Sequence, residues 1–224
     1  MQLEVVVTNA SEAVSAQQAG ASRVELVAEF ARGGLTPDDR TIDKAVQAVS
    51  IPVHVMVRPH DDGFTYDAKS RNNILDAAAR LRDLGAAAIV FGALDDRGRV
   101  AVDFVKEVGS VARLPITFHR AFDATHNLSA SYAALAGIPR VQRVLTAGGA
   151  SSAWDGRKWL RELSYGNTIP SVIACGDIHA GNVHDIMRFA GVREVHVGRG
   201  ARTDGKLDPS KIEQLAALLE GTAR

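Results

Sequence analysis

The stretch Ile116-Thr117-Phe118-His119-Arg120-Ala121-Phe122-Asp123 passes from apolar, β-favouring residues to an imidazole, a guanidinium and a carboxylate. A strand buried only for packing seldom ends this way, because each ionisable group taken out of water needs a partner. At the carboxyl end of a parallel strand in an α/β fold, the same groups face a ligand. The expected chemistry is proton transfer. His119 or Glu25 moves a proton, Asp123 orients the imidazole, and Arg58 with Arg120 meets developing oxyanion charge.

A second set of residues suits an anion. Gly148, Gly176 and Gly198 each follow a predicted strand, where a missing side chain lets backbone N–H groups approach a phosphate or carboxylate. Arg199 adds a balancing charge. The lysines are Lys44, Lys69, Lys106, Lys158, Lys206 and Lys211, none at a predicted strand's carboxyl end. Schiff-base aldolase chemistry, which needs a desolvated lysine in the cavity, is therefore not expected. There is no HxxxH or CxxC signature, so any metal site would be assembled from separate strands, with His119, His196 and Glu25 as candidate ligands.

These residues need a scaffold, and the chain alternates strand and helix to supply one. Short apolar runs at residues 3–8, 23–27, 53–58, 87–92, 116–123, 141–146, 171–176 and 194–198 read as strands. Helical patterns fall between them, beginning near Ser11, Thr36, Lys69, Asp103, Leu128, Trp154 and Asn182, and again at Asp208-Pro209. Thr36 is the expected N-cap of its helix, with Pro37 in the first helical position. About eight such units in one chain predict a single α/β domain over residues 1–224, a (β/α)8 TIM-like barrel. An open doubly wound sheet is the runner-up, but Thr8-Asn9-Ala10-Ser11 lacks the glycine-rich fingerprint of that fold.

Alternation along each strand then sorts the ionisable groups. A charge aimed at the helix layer would be buried against apolar helices, so charged positions are expected to face inward. This points Glu4 and Glu25 into the barrel, with His54, Met56 and Arg58 on one face of the third strand and His196 on the eighth. Thr117, His119 and Asp123 share a face of the fifth, and Arg120 has the opposite parity. Glu4 has a plainer reading as the partner of a barrel arginine, and His54 as a core histidine.

Lys plus Arg and Asp plus Glu are 26 each, so neither nucleic acid nor an anionic membrane is an expected partner. The single cysteine, Cys175, suits a reducing cytoplasm. No apolar run approaches the roughly 20 residues needed to cross a bilayer, and residues 1–8 lack the basic region of a signal peptide.

Several stretches carry a family resemblance. Arg23-Val24-Glu25-Leu26, Gly33-Gly34-Leu35-Thr36-Pro37, Ile51-Pro52-Val53-His54, Arg58-Pro59, Thr117-Phe118-His119-Arg120-Ala121-Phe122-Asp123 and Glu194-Val195-His196 make the chain resemble the CutC family, described as copper homeostasis proteins. The resemblance implies a TIM barrel, a cytoplasmic location, a homodimer, and copper binding or a part in copper tolerance. Cysteines that family members often carry in the first two strands fall at Val6, Val7 and Val27. Soft donors for Cu(I) are then confined to Cys175 and Met56. The residues alone support an alternative, a lyase or isomerase acting on a small phosphorylated or carboxylated anion at the barrel mouth.

Overall fold

Eight parallel strands close into a barrel, each hydrogen-bonded to the next and the last back to the first. They are β1 (Gln2–Val7), β2 (Arg23–Leu26), β3 (Val53–Met56), β4 (Ala88–Phe91), β5 (Ile116–Phe118), β6 (Val141–Thr146), β7 (Ser171–Ala174) and β8 (Glu194–Val197). The alternating helices are α1 (Ala10–Gln18), α2 (Asp39–Ala48), α3 (Ala68–Leu81), α4 (Val102–Ala112), α5 (Leu128–Ala136), α6 (Arg157–Ser164), α7 (Val183–Ala190) and α8 (Pro209–Gly221). This is the (β/α)8 barrel expected from the alternation. The computed structural model describes residues 1–165 and 169–221. No helix among them is long and apolar enough to cross a membrane.

The main core lies between barrel and helices. Outward strand residues such as Leu3, Val5, Val7, Val24, Leu26, Val55, Ile89, Phe91, Ile116 and Phe118 pack on helix residues including Ile42, Ile74, Leu81, Phe104 and Leu160. Burying each such side chain contributes on the order of 1.5–3 kcal/mol. With the apolar positions committed outward, the alternate positions must fill the barrel. Several of them are ionisable.

Helix starts follow side-chain chemistry. Asn9, Asp38, Asp67 and Asn127 each accept a backbone N–H from the first turn of the next helix, a cap worth about 1 kcal/mol. Thr36 does not cap α2, contrary to expectation; Asp38 does, by accepting from Thr41 N. The Thr36 hydroxyl instead accepts the Arg58 N–H at 2.8 Å, while Thr36 N donates to Arg58 O at 2.9 Å. That pair ties the β2–α2 loop to the end of β3. Helix α6 also begins later than Trp154, at Arg157, after a run of turns.

The largest departure concerns β5. It stops at Phe118, and residues Arg120–Ala124 form a 3-10 turn. Asp123 therefore cannot share a strand face with Thr117 and His119. Arg120 lies past the strand end, so its opposite parity does not turn it into the helix layer.

Candidate functional site at the barrel mouth

Register sets the site. Glu4 is paired with Arg23 on one side and His196 on the other, Val6 with Glu25, and Glu25 with His54. All these charged side chains are inward, as the parity argument predicts. Arg23 Nε donates to Glu4 Oε2 at 2.5 Å, and His54 Nδ1 lies 3.3 Å from the same oxygen. His196 Nδ1 is 2.7 Å from Glu4 Oε1 and 3.6 Å from Glu25 Oε2. Below them Arg23 Nη1 reaches Glu194 at 2.6 Å, and Ser171 Oγ donates to Glu194 at 2.7 Å. Arg23, Arg143 and Glu194 were not singled out from sequence, although they sit two residues before Glu25, Leu145 and His196. The parity rule applied to the whole strand would have found them.

The environments of the two glutamates diverge. Burial opposes ionisation of Glu4, but the Arg23 charge and hydrogen bonds from His196 and His54 outweigh it, holding the carboxyl well below its usual range. Glu25 lacks such donors. Burial, helped by the Glu4 charge and only partly opposed by His196 and Arg23, pushes its carboxyl up to about 7. Burial also disfavours charge on His196, yet Glu25 and Glu4 outweigh it and raise the imidazole above its ordinary value. Because Glu4 is ionised, it accepts the Nδ1–H of His196 and leaves Nε2 as the nitrogen able to exchange a proton. Two carboxyls pushed apart by their surroundings is the pattern of acid–base sites.

A cavity of about 320 Å3 opens above this cluster at the carboxyl end of the strands. Glu25, His196 and Cys175 line it from below, Arg120 and Arg199 from the loops, with Gly33, Gly34, Gly176, Gly198 and Gly200 in the wall. Larger grooves lie outside the barrel, one along α6 and α7 and one beside α4 and α5. Neither holds a buried acid–base group. The cavity's apolar side is formed by Val6, Val27, Phe30, Cys175 and Ile178, with Met56 and Val90 packed on Val6 and Val27, and Leu145 and Ile173 on Cys175. Burial and Asp123 raise the Cys175 thiol well above its usual value, so it is protonated.

The opening stretch is arranged differently from expectation. His119 caps the 3-10 turn, its Nδ1 accepting Ala121 N–H at 3.1 Å, with its ring 5.2 Å from that of Phe64. Burial, with Arg58 nearby, lowers its imidazole to about 3, so it is neutral. Asp123 does not orient it. Asp123 accepts from Arg120 Nε at 2.8 Å, from Thr146 Oγ1, from Ala147 N and from Gly149 N, and so fastens the β6 loop. Nor does His119 join the metal-type cluster. Among the described residues, Glu4, Glu25 and His196 are the group whose ligand atoms all lie within 4.8 Å of one another.

Of the expected anion contacts, Arg120, Gly176, Gly198 and Arg199 line the cavity. Gly148 does not. It sits in a turn against Gly156 and borders an outer groove with Asp123. Arg58 lies just behind the wall, its guanidinium 5.1 Å from the Phe64 ring centre.

A family model described as CutC matches residues 1–201. The chain belongs to the CutC family. A CutC family protein from Enterobacter sp. (strain 638) is 38% identical over 202 residues, covering 90% of this chain and 81% of the relative. The crystal structure of a CutC from Streptococcus agalactiae, described provisionally as a copper homeostasis protein, superposes with a TM-score of 0.82 at 26% identity, covering 88% of this chain and 98% of that one. The phosphoribosyl anthranilate isomerase of Thermus thermophilus superposes at a TM-score of 0.67 with 14% identity over 99% of this chain and 100% of its own, a likeness of fold alone.

Proposed function

We propose that this CutC chain is an acid–base enzyme, a lyase or isomerase, acting on a small carboxylated or phosphorylated anion at the barrel mouth. The observation that carries this reading is the pair Glu25 and His196, 3.6 Å apart and both open to one cavity that Arg120 and Arg199 also line. Glu25 gives or takes the proton; a carboxyl with a pKa near the operating pH suits that task. Glu4, held ionised by Arg23, fixes the tautomer of His196 and is a positioning residue. Arg120 and Arg199 line the cavity, and their charge stabilises an oxyanion as it develops. The residue set differs from the expected one: Glu25 remains, His196 takes the place of His119, and Asp123 becomes a loop fastener.

The test is hydrogen exchange at carbon, surveyed across substrate classes. Small 2-hydroxy acids, keto acids and sugar phosphates are incubated with the protein in deuterium oxide, and exchange is followed by NMR. Exchange of one class that disappears in Glu25→Gln and His196→Gln supports the reading. No exchange in any class above the buffer rate contradicts it.

Direct copper binding is the second reading, favoured by Cys175 on the same wall and by the Glu4, Glu25 and His196 cluster. Glu25 Oε2 is a buried acceptor without a hydrogen-bond partner, so Glu25 and His196 are the ligands of that cluster left for a cation, with Cys175 farther along the wall. Glu4 is already occupied by Arg23 and His196. An imidazole, a carboxylate and one thiol suit Cu(II) or zinc better than Cu(I), which prefers several sulfur ligands. Arg120 facing the site repels a cation. Calorimetry with Cu(I) and Cu(II) decides it: absence of binding tighter than about micromolar removes direct copper binding. The cytoplasm suits a chain whose one cysteine is a free buried thiol. A homodimer is supported by the exposed Trp154, Trp159 and Phe189, and sedimentation measures it.

A further inference from the structure

Arg58 is 9% exposed, yet no ion pair among the described residues includes it, and its Nε has no hydrogen-bond partner. The carboxylate of Asp61, on the adjoining loop, is already taken by Arg32, whose Nε and Nη2 donate to its two oxygens at 2.9 and 2.5 Å. Asp61 feels the Arg58 charge from a distance but makes no direct ion pair with it, and a buried guanidinium without such a pair is costly. Here the charge stacks on an aromatic face, the Phe64 ring, at 5.1 Å. That contact attracts the guanidinium but leaves its N–H donors unsatisfied. The donors around it are also unsatisfied. His119 Nε2 carries the ring proton, because Nδ1 accepts Ala121 N–H, and it is buried without a partner. The Tyr66 hydroxyl, buried beside Arg58, has no acceptor for its proton either. Arg58 Nε, His119 Nε2 and the Tyr66 hydroxyl proton are three buried donors that an anion would satisfy.

Gly33 connects this chamber to the mouth cavity. It lines that cavity at φ +83, and a Cβ built on it would stand 3.3 Å from Arg58 Nη1. Because Gly33 has no side chain, the guanidinium lies close behind that part of the wall. Position 92 shows the same economy on the other side. A Cβ there would stand 2.5 Å from His119 Nδ1, so glycine lets the imidazole take its place.

We propose that Arg58 is the anchor for a carboxylate or phosphate of the substrate, reaching it through the gap at Gly33. His119 Nε2–H is a second donor to the same group. This deepens the acid–base reading, since it places the anionic end of the substrate on the β3 side and the reacting carbon over Glu25 and His196. The ligand chemistry is an oxyanion with at least two acceptor oxygens, which a planar guanidinium binds in a fork.

Inorganic phosphate and malonate are the probes, titrated separately into the intact protein with 15N-labelled arginine. The expected result is a saturable shift of the Arg58 Nε resonance with one of them. The probe that binds distinguishes a phosphoryl from a carboxylate group. Arg58→Gln is expected to weaken that binding at least tenfold, and Arg58→Lys to restore part of it. The proposal is overturned if neither probe moves the Arg58 resonance in the unmodified protein, or if binding persists unchanged in Arg58→Gln. The resonance is read without substitution, so a variant that misfolds does not blunt the test. Binding at Arg58 without any carbon exchange would sink the acid–base reading and leave the anchor standing.

Discussion

His196 Nδ1 stands 3.6 Å from Glu25 Oε2, across two strands that flank β1 on opposite sides. Glu4 on β1 sits between them, and its pairing with Arg23 makes it the fixed charge of the trio. Exchangeable protons are then left to Glu25 and to His196 Nε2.

Replacing Glu25 with Gln should change how stability depends on pH. The folded carboxyl titrates near 7 against an ordinary 4.5, so between those values the folded state binds a proton the unfolded chain has released. Stability contributed this way falls as pH rises through the window, by up to about 1.4 kcal/mol per pH unit. Glu25→Gln removes that slope. Thermal melts from about pH 5 to about pH 8 should show the variant gaining on the parent protein toward the alkaline end.

His119 has the opposite sign. Its imidazole is held neutral down to about 3, against an ordinary 6.5. Between these values the unfolded chain binds the extra proton, so stability is lost as pH falls through the window. Asn at 119 can still accept the Ala121 N–H but cannot titrate. His119→Asn is expected to shift the acid unfolding midpoint downward, measured by circular dichroism; an unchanged or raised midpoint contradicts the assignment.

Asp123 is predicted to matter for the fold of the mouth rather than for proton transfer. It accepts from Arg120, Thr146, Ala147 and Gly149. Asp123→Ala leaves several of these donors without a partner and should cost about 2–4 kcal/mol in urea unfolding. The apparent pKa of Glu25 should stay where it is.

Arg23 is the counter-charge of both Glu4 and Glu194. Arg23→Met strands a buried carboxylate and should destabilise by about 3–5 kcal/mol. Adding Glu4→Gln to that variant should recover part of the loss, because the stranded charge is gone. A double variant no better than the single one would place the damage elsewhere.

Much of this was legible in the sequence, for a physical reason. A charge cannot face an apolar helix layer, so Glu4, Glu25, His54 and His196 could be turned inward by parity alone. Parity fails where a strand ends, because it carries no information about the end itself. Residues 116–123 read as one strand, but the chain leaves the sheet at Phe118 and turns over His119. That turn separates His119 from Asp123, so the two do not share a strand face. The role of Gly33 was invisible for another reason: a gap in a wall acquires meaning only once Arg58 is seen behind it.

The most direct measurement is the titration of the Glu25 carboxyl carbon by NMR, in the parent protein and in His196→Gln. An apparent pKa of about 7 in the parent is expected, rising in the variant as the positive partner is removed. An ordinary value near 4.5, unmoved by His196→Gln, would contradict the electrostatically coupled pair on which the proposed function rests.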